Sequence, residues 1–145
     1  MGKYLIKKHT NVIDANISLD RQVKNIQKAQ LMLDLQIMND MKPYMPLVNG
    51  TFIQRTSAES TMIAGTGEVV AGAAPFGRFL YRGKVMVGEH SGSPFAKKGE
   101  RKVETGRELN FNKNAHPKVA PKWFEVAKSN HKKDWIALVN KAAGG

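Results

Sequence analysis

Between Ser18 and Met41 the residues Leu19, Val23, Ile26, Leu33 and Ile37 recur at spacings of three, four and seven, and Leu31, Leu35 and Met38 widen the same apolar face. That spacing predicts one long amphipathic helix, because side chains three or four apart share a helix face. Asn16 or Ser18 is placed to cap it, Asp20 suits the positive end of its dipole, and Pro43 with Pro46 forbids continuation. A stripe this broad fits packing on a sheet of the chain's own core, as in most amphipathic helices, or packing against a neighbouring subunit.

The middle third changes character. Thr51-Phe52-Ile53, Thr61-Met62-Ile63, Glu68-Val69-Val70 and the run from Arg78 to Val87 are β-prone, and Asn49-Gly50, Gly65-Thr66-Gly67 and Gly83 punctuate them. Four short antiparallel strands are the economical expectation, with a bend or bulge at Gly83 and a hairpin turn at Gly65 to Gly67. From Gly88 to Val119 there is little periodicity and much Gly, Lys, Asn and Pro, which predicts an extended loop. Loops of that length are uncommon in compact domains unless they bind something or become ordered on assembly.

A second helix closes the chain, with Pro121 in its first turn and Gly144-Gly145 at its end. Trp123, Phe124, Ala127, Trp135, Ile136, Leu138 and Val139 supply its apolar faces, and Asn130-His131 either interrupts it or lies on its wet side. Trp123, Phe124 and Trp135 suit core or subunit-contact anchors. The fold class expected is α+β: a long N-terminal helix, a small antiparallel sheet of about four strands with a long loop, and a C-terminal helix. Residues 1–145 read as one domain, with 1–15 an N-terminal arm and 88–119 the extended loop.

Composition bounds the function. A chain of 145 residues suits one domain burying roughly two thirds of its unfolded surface. With 41% hydrophobic and 24% charged residues it has ordinary globular values, which argues against wholesale disorder. The sequence has no cysteine, so disulfides and thiolate metal ligands are excluded. Its apolar runs fall short of the roughly 20 residues that cross a bilayer, and the opening Met1-Gly2-Lys3-Tyr4-Leu5-Ile6-Lys7-Lys8 lacks a signal-peptide core, so no membrane association is expected. The net charge of +11 is uneven. Residues 1–48 carry seven Lys and Arg against four acids, residues 49–95 four against three, and residues 96–145 twelve against five. A basic last third favours polyanions or acidic protein faces, or is a solvated surface that aids solubility.

Candidate chemistry is thin. His9, His90, His116 and His131 lie far apart, with neither i, i+4 pairing nor a carboxylate cluster at ligand spacing, so no metal site is expected. Gly65-Thr66-Gly67 followed by Gly72 lacks the Gly-Lys-Ser/Thr ending of a phosphate-binding loop. Gly88-Glu89-His90-Ser91-Gly92 is out of register for a nucleophile elbow. Glu100, Glu104 and Glu108 interleave with Arg101, Lys102 and Arg107, which suits paired surface charges. The expectation is no enzyme, no catalytic residues and no cofactor.

Several segments in order carry a likeness to a known family. They are Met41-Lys42-Pro43-Tyr44-Met45-Pro46-Leu47-Val48-Asn49-Gly50-Thr51-Phe52, with Arg55, Ser57 and Ser60 downstream; Pro75-Phe76-Gly77-Arg78-Phe79-Leu80-Tyr81-Arg82-Gly83-Lys84-Val85-Met86-Val87; Ser93-Pro94-Phe95-Ala96-Lys97-Lys98-Gly99 with Leu109-Asn110-Phe111; and His116-Pro117-Lys118-Val119-Ala120-Pro121-Lys122-Trp123-Phe124. Over about two thirds of the chain this resembles the minor capsid proteins of tailed bacteriophages, in the neck or tail-completion group. The resemblance implies a virion structural subunit, assembled in the host cytoplasm, that forms a ring around the DNA channel where head meets tail. It implies a hexamer, or a dodecamer matching the portal, with a stopper or adaptor, a tail terminator or the tail tube as neighbours.

On that reading Arg78, Tyr81, Arg82, Phe95, Lys97, Lys98, Arg101 and Lys102 are candidate subunit or neck-partner contacts, and Lys97, Lys98, Arg101 and Lys102 are candidate DNA-channel cations in non-specific contact with packaged DNA. The competing class is a basic nucleic-acid-binding module acting outside a virion, supported by the pI near 10 and the tract Lys97-Lys98-Gly99-Glu100-Arg101-Lys102. A tail terminator or head-closing stopper would share the ring and occupy a neighbouring layer.

Overall fold

The computed structural model describes residues 12–47, 51–75 and 77–144. The long helix expected from the apolar spacing is α1, Val12–Met41. It begins earlier than Asn16 and Ser18, so both lie inside it rather than at its cap. It gives way where the prolines demand, to a single 3-10 turn, Lys42–Tyr44, with Pro43 in its first positions. The closing helix is α4, Trp123–Gly144. Pro121 precedes it and packs over Gly83, and Asn130-His131 leaves it unbroken.

These two helices run antiparallel and make the largest contact in the fold. The core forms where they meet the turn after α1. Met38, Met41, Tyr44, Met45, Phe52, Trp123, Ala127 and Trp135 are buried together there. Truncating either tryptophan to Ala would cost about 3–5 kcal/mol, because the surrounding structure relaxes only partly into such a gap. The polar atoms on these rings are all partnered. Trp123 Nε1 donates to the Ala71 carbonyl at 2.6 Å and Trp135 Nε1 to Asp40 Oδ2 at 2.7 Å, while Asn130 Nδ2 donates to the Tyr44 hydroxyl at 3.1 Å. The stripe on α1 therefore packs on a helix, not on a sheet.

The middle of the chain overturns the four-strand expectation. Phe52–Met62 is a helix, α2, and it takes up both Phe52-Ile53 and Thr61-Met62. Glu68-Val69-Val70 has no regular structure. Gly77–Arg82 is a short helix, α3, and only Lys84–Gly88 of the run from Arg78 is a strand, β1. Gly83, at φ +67°, joins them. Its N–H faces the carbonyls of Phe79 and Leu80 at 3.1 Å, the left-handed ending that favours glycine. The second strand, β2, is Lys102–Glu108, inside the segment expected to be an extended loop. The sheet is thus two antiparallel strands, with Val87 opposite Val103 and Met86 opposite Glu104, and an irregularity between Lys84 and Met86.

The face that α2 buries is partly polar. Thr56 Oγ1 donates to the Phe52 carbonyl at 2.8 Å and accepts from the Ala73 amide at 3.0 Å, and Ser60 Oγ bridges the amide and carbonyl of Val70 at 3.1 Å each. These hydroxyls dock the returning chain against the helix. Gly65 to Gly67 is no hairpin turn either. Its amides clamp onto Asp34 of α1, with Gly65 N at 2.8 Å and Gly67 N at 3.0 Å from Oδ2. The Asn49-Gly50 turn and residues 1–11 of the arm lie outside the described residues, and residues 12–15 of the arm are the start of α1.

Candidate functional site: a basic cleft between α3 and the hairpin

Packing α3 against the two-stranded sheet opens a cleft of about 200 Å³. Arg78, Phe79 and Arg82 line it from the helix, Met86 from β1, Arg101 from just before β2, and Lys102, Val103 and Glu104 from the start of β2. Helical spacing puts Arg78 and Arg82 one turn apart on one face of α3. The guanidinium of Arg78 lies over the ring of Phe79, 5.1 Å from its centroid, a stacking that holds the cation without neutralising it. Arg82 pairs with Glu104 at 3.0 Å. Both partners are solvent-exposed, so the pair contributes at most about 1 kcal/mol. Among the described residues Arg78, Arg101 and Lys102 form no ion pair, so the four cations of the cleft outweigh its single acid.

The structure brings together Arg78, Arg82, Arg101 and Lys102 from the residues expected to make contacts. It does not bring Phe95, Lys97 or Lys98 into the cleft. They sit on the exposed segment that joins β1 to β2, where Phe95 is 87% exposed. Tyr81 is used internally. Its ring packs edge-on to Trp123 with centroids 4.9 Å apart, and its hydroxyl donates to Glu125 Oε1 at 3.1 Å. Burial, with the Glu125 hydrogen bond and charge adding, pushes its pKa up to about 12.

Glu100 was not among the expected site residues, yet it organises the segment that presents the cations. Its carboxylate accepts from the amides of His90 at 2.9 Å, Ser91 at 2.6 Å and Lys97 at 2.8 Å, and from Ser91 Oγ at 2.9 Å. The Lys97 and Ser91 amides foremost hold its pKa down at about 2. Gly88 closes against this cradle, because a Cβ there would run into Ser91 Oγ and the Glu100 carboxylate. Nothing in the linear order marks the cradle, since three of its four donors are ordinary backbone amides. Glu104 was missed for a similar reason: its partner Arg82 becomes a neighbour only once α3 and β2 form.

The arrangement suits holding a polyanion or an acidic surface, through cations placed by the Arg78–Phe79 stacking and by the hairpin. No group of three His, Asp or Glu residues placed to hold a metal ion occurs among the described residues. His116 Nδ1 lies 2.7 Å from the Met45 carbonyl, and His131 Nε2 lies 3.3 Å from the Tyr44 hydroxyl, so both rings serve packing. His9 lies outside the described residues. No helix among them is long and apolar enough to cross a membrane.

A family model described as minor capsid protein matches residues 6–143, nearly the whole chain. The chain belongs to the minor capsid protein family of bacteriophages. A minor capsid protein is a structural component of the virion, and the cleft described above is a surface feature of such a component. No curated protein and no solved structure matches the chain.

Proposed function

We propose that this minor capsid protein is a neck subunit, copies of which form a ring around the DNA channel and join the filled head to the tail. The observation that carries the reading is the hairpin. Its two strands pair only with each other among the described residues, and its connecting segment and the start of β2 carry Lys97, Lys98, Arg101 and Lys102, none of them in an ion pair among those residues. An isolated two-stranded ribbon is marginal alone in water, and each of its outer edges offers unpaired backbone groups to another strand. Pairing of edges between successive copies gives a head-to-tail contact of the kind that closes into a ring. Main-chain pairing needs no charge complementarity, so it tolerates subunits that are all basic. Arg78, Arg101, Lys102, Lys97 and Lys98 then contact DNA phosphates without reading sequence, or grip an acidic neighbour in the neck. A hexamer follows if the ring matches the tail, a dodecamer if it matches the portal.

Electron microscopy of the purified chain tests the ring directly. Replacing Lys97, Lys98, Arg101 and Lys102 by Glu is expected to leave the subunit folded and to block the joining of heads to tails. Unchanged infectious yield would overturn the role given to these residues. Tight, steeply salt-dependent DNA binding by a monomer that never forms rings would instead favour a nucleic-acid-binding module acting outside the virion, the reading that the unpaired cations of the cleft also support. Mixing the protein with tailless heads and with headless tails decides which layer of the neck it occupies.

A further inference from the structure

A second surface, separate from the basic cleft, runs along the seam between α1 and α4. Leu33 and Ile37 from α1 and Phe124, Trp135, Ile136 and Val139 from α4 line a groove of about 330 Å³. Phe124 and Trp135 stack as its floor, with ring centroids 6.2 Å apart and planes 23° from parallel. Its lining on α4 runs from Phe124 to Asn140, so the groove follows that helix for about 24 Å, and a separate, partly polar pocket lined by Gln22, Asn25, Ile26, Asn140, Ala143 and Gly144 adjoins it at Asn140. Ile26 is 60% exposed and Ile136 51% exposed, although each belongs to the apolar pattern of its helix. A groove of that length between two antiparallel helices is the receptor form of helix-in-groove recognition, in which a third helix lays down an apolar stripe.

The rim identifies the kind of helix. Lys128 and Lys132, one turn apart on α4, border the groove, and neither forms an ion pair among the described residues. The carboxylate of Glu125, one turn before Lys128, accepts instead from the Tyr81 hydroxyl. A second copy of this chain, at +11, is a poor match for such a rim, and so are the chain's own residues 1–11, which bring Lys3, Lys7 and Lys8 and no acid. We propose that the α1–α4 groove seats an amphipathic helix of a different protein, one whose apolar stripe is flanked by Asp and Glu. The inference does not depend on the neck ring, since it concerns another face and another occupant.

The full-length chain is titrated with a synthetic helix-forming peptide that carries Leu along one stripe and Glu on both flanks, and with a twin in which Lys replaces each Glu. Fluorescence reports binding, because Trp135 lines the groove whereas Trp123 is fully buried away from it. The Glu peptide is expected to bind saturably and about tenfold or more tighter than the Lys twin, since every rim contact changes sign between them. Ile136→Glu should abolish binding. Lys128→Glu with Lys132→Glu, which leaves the core untouched, should reverse the order of the two peptides. Equal binding of both peptides, or binding of neither, overturns the proposal. So does a chain whose oligomers fall to monomers with Ile136→Glu in the absence of peptide, which would give the groove to a second copy. Tighter peptide binding after removal of residues 2–11 would give it to the chain's own arm.

Discussion

Asp34→Ala isolates the contact that fixes the chain after α2 onto the long helix. Asp34 is 3% exposed, and its carboxylate takes three hydrogen bonds: Gly65 N at 2.8 Å, Gly67 N at 3.0 Å and Gln30 Nε2 at 2.8 Å. The two backbone bonds go to a carboxylate, a class that contributes roughly 1.5–3 kcal/mol per bond. Both glycines are exposed, so water recovers part of that once the carboxylate is gone. Alanine also favours the helix interior over aspartate by about 0.7 kcal/mol. The net loss is about 2–4 kcal/mol, which for a chain of this size lowers Tm by roughly 5–15 °C. Thermal unfolding by circular dichroism at fixed protein concentration reads the loss, and amide exchange at Gly65 and Gly67 shows that it arises locally. Asp34→Asn keeps one oxygen acceptor and should fall between wild type and Ala. If Asp34→Ala melts within about 1 °C of wild type with both glycine amides still protected, the clamp contributes nothing and the reasoning fails.

The remaining predictions concern the hairpin and its attachment. The Glu100 pKa is lowered from 4.5 to about 2, so the order that its carboxylate gives the segment from His90 to Lys97 is present above about pH 4.5 and is lost as the pH falls toward 2. Amide exchange at His90, Ser91 and Lys97 should follow that window, and Glu100→Gln should remove the dependence; a profile flat across it counts against the cradle. Tyr81 is shifted the other way, from 10.0 to about 12, so the folded state holds its proton more tightly and stability falls as the pH rises from 10 toward 12. Tyr81→Phe should flatten that decline in alkaline unfolding curves. Gly88→Ala should loosen the same segment without unfolding the helices, because its Cβ meets Ser91 Oγ and the Glu100 carboxylate; heteronuclear NMR that leaves the Ser91 and Lys97 amides in place would refute it.

The basic cleft and the apolar groove face different tasks with different physics. The cleft gathers four cations around a single acid, Glu104, which suits charge-driven contact with a polyanion or an acidic neighbour. The groove offers apolar area and shape with only two charges at its rim, which suits one specific partner.

By itself the sequence determined the two long helices, because the spacing of Leu19 to Ile37 and of Trp123 to Val139 is a local periodicity that needs no partner to be legible. It determined the break at Pro43 and the basic character of the last third, and the likeness carried by its proline, glycine and aromatic segments pointed to the family that the whole-chain match shows. Only tertiary structure decided the middle. Thr51-Phe52-Ile53 and Thr61-Met62-Ile63 read as short strands, yet between them the hydroxyls of Thr56 and Ser60 gain backbone partners at Ala73 and Val70 when Phe52 to Met62 is helical, a gain invisible to any count of apolar residues. Lys102 to Glu108 reads as loop because a two-stranded ribbon with little buried surface imposes no apolar alternation, and its strand character comes from pairing with β1. Arg78, Arg82, Arg101 and Lys102 were visible as charges. That they share one cleft depends on a helix ending at Gly83 and a hairpin folding back on it, and such long-range closure is written in no single stretch of the chain.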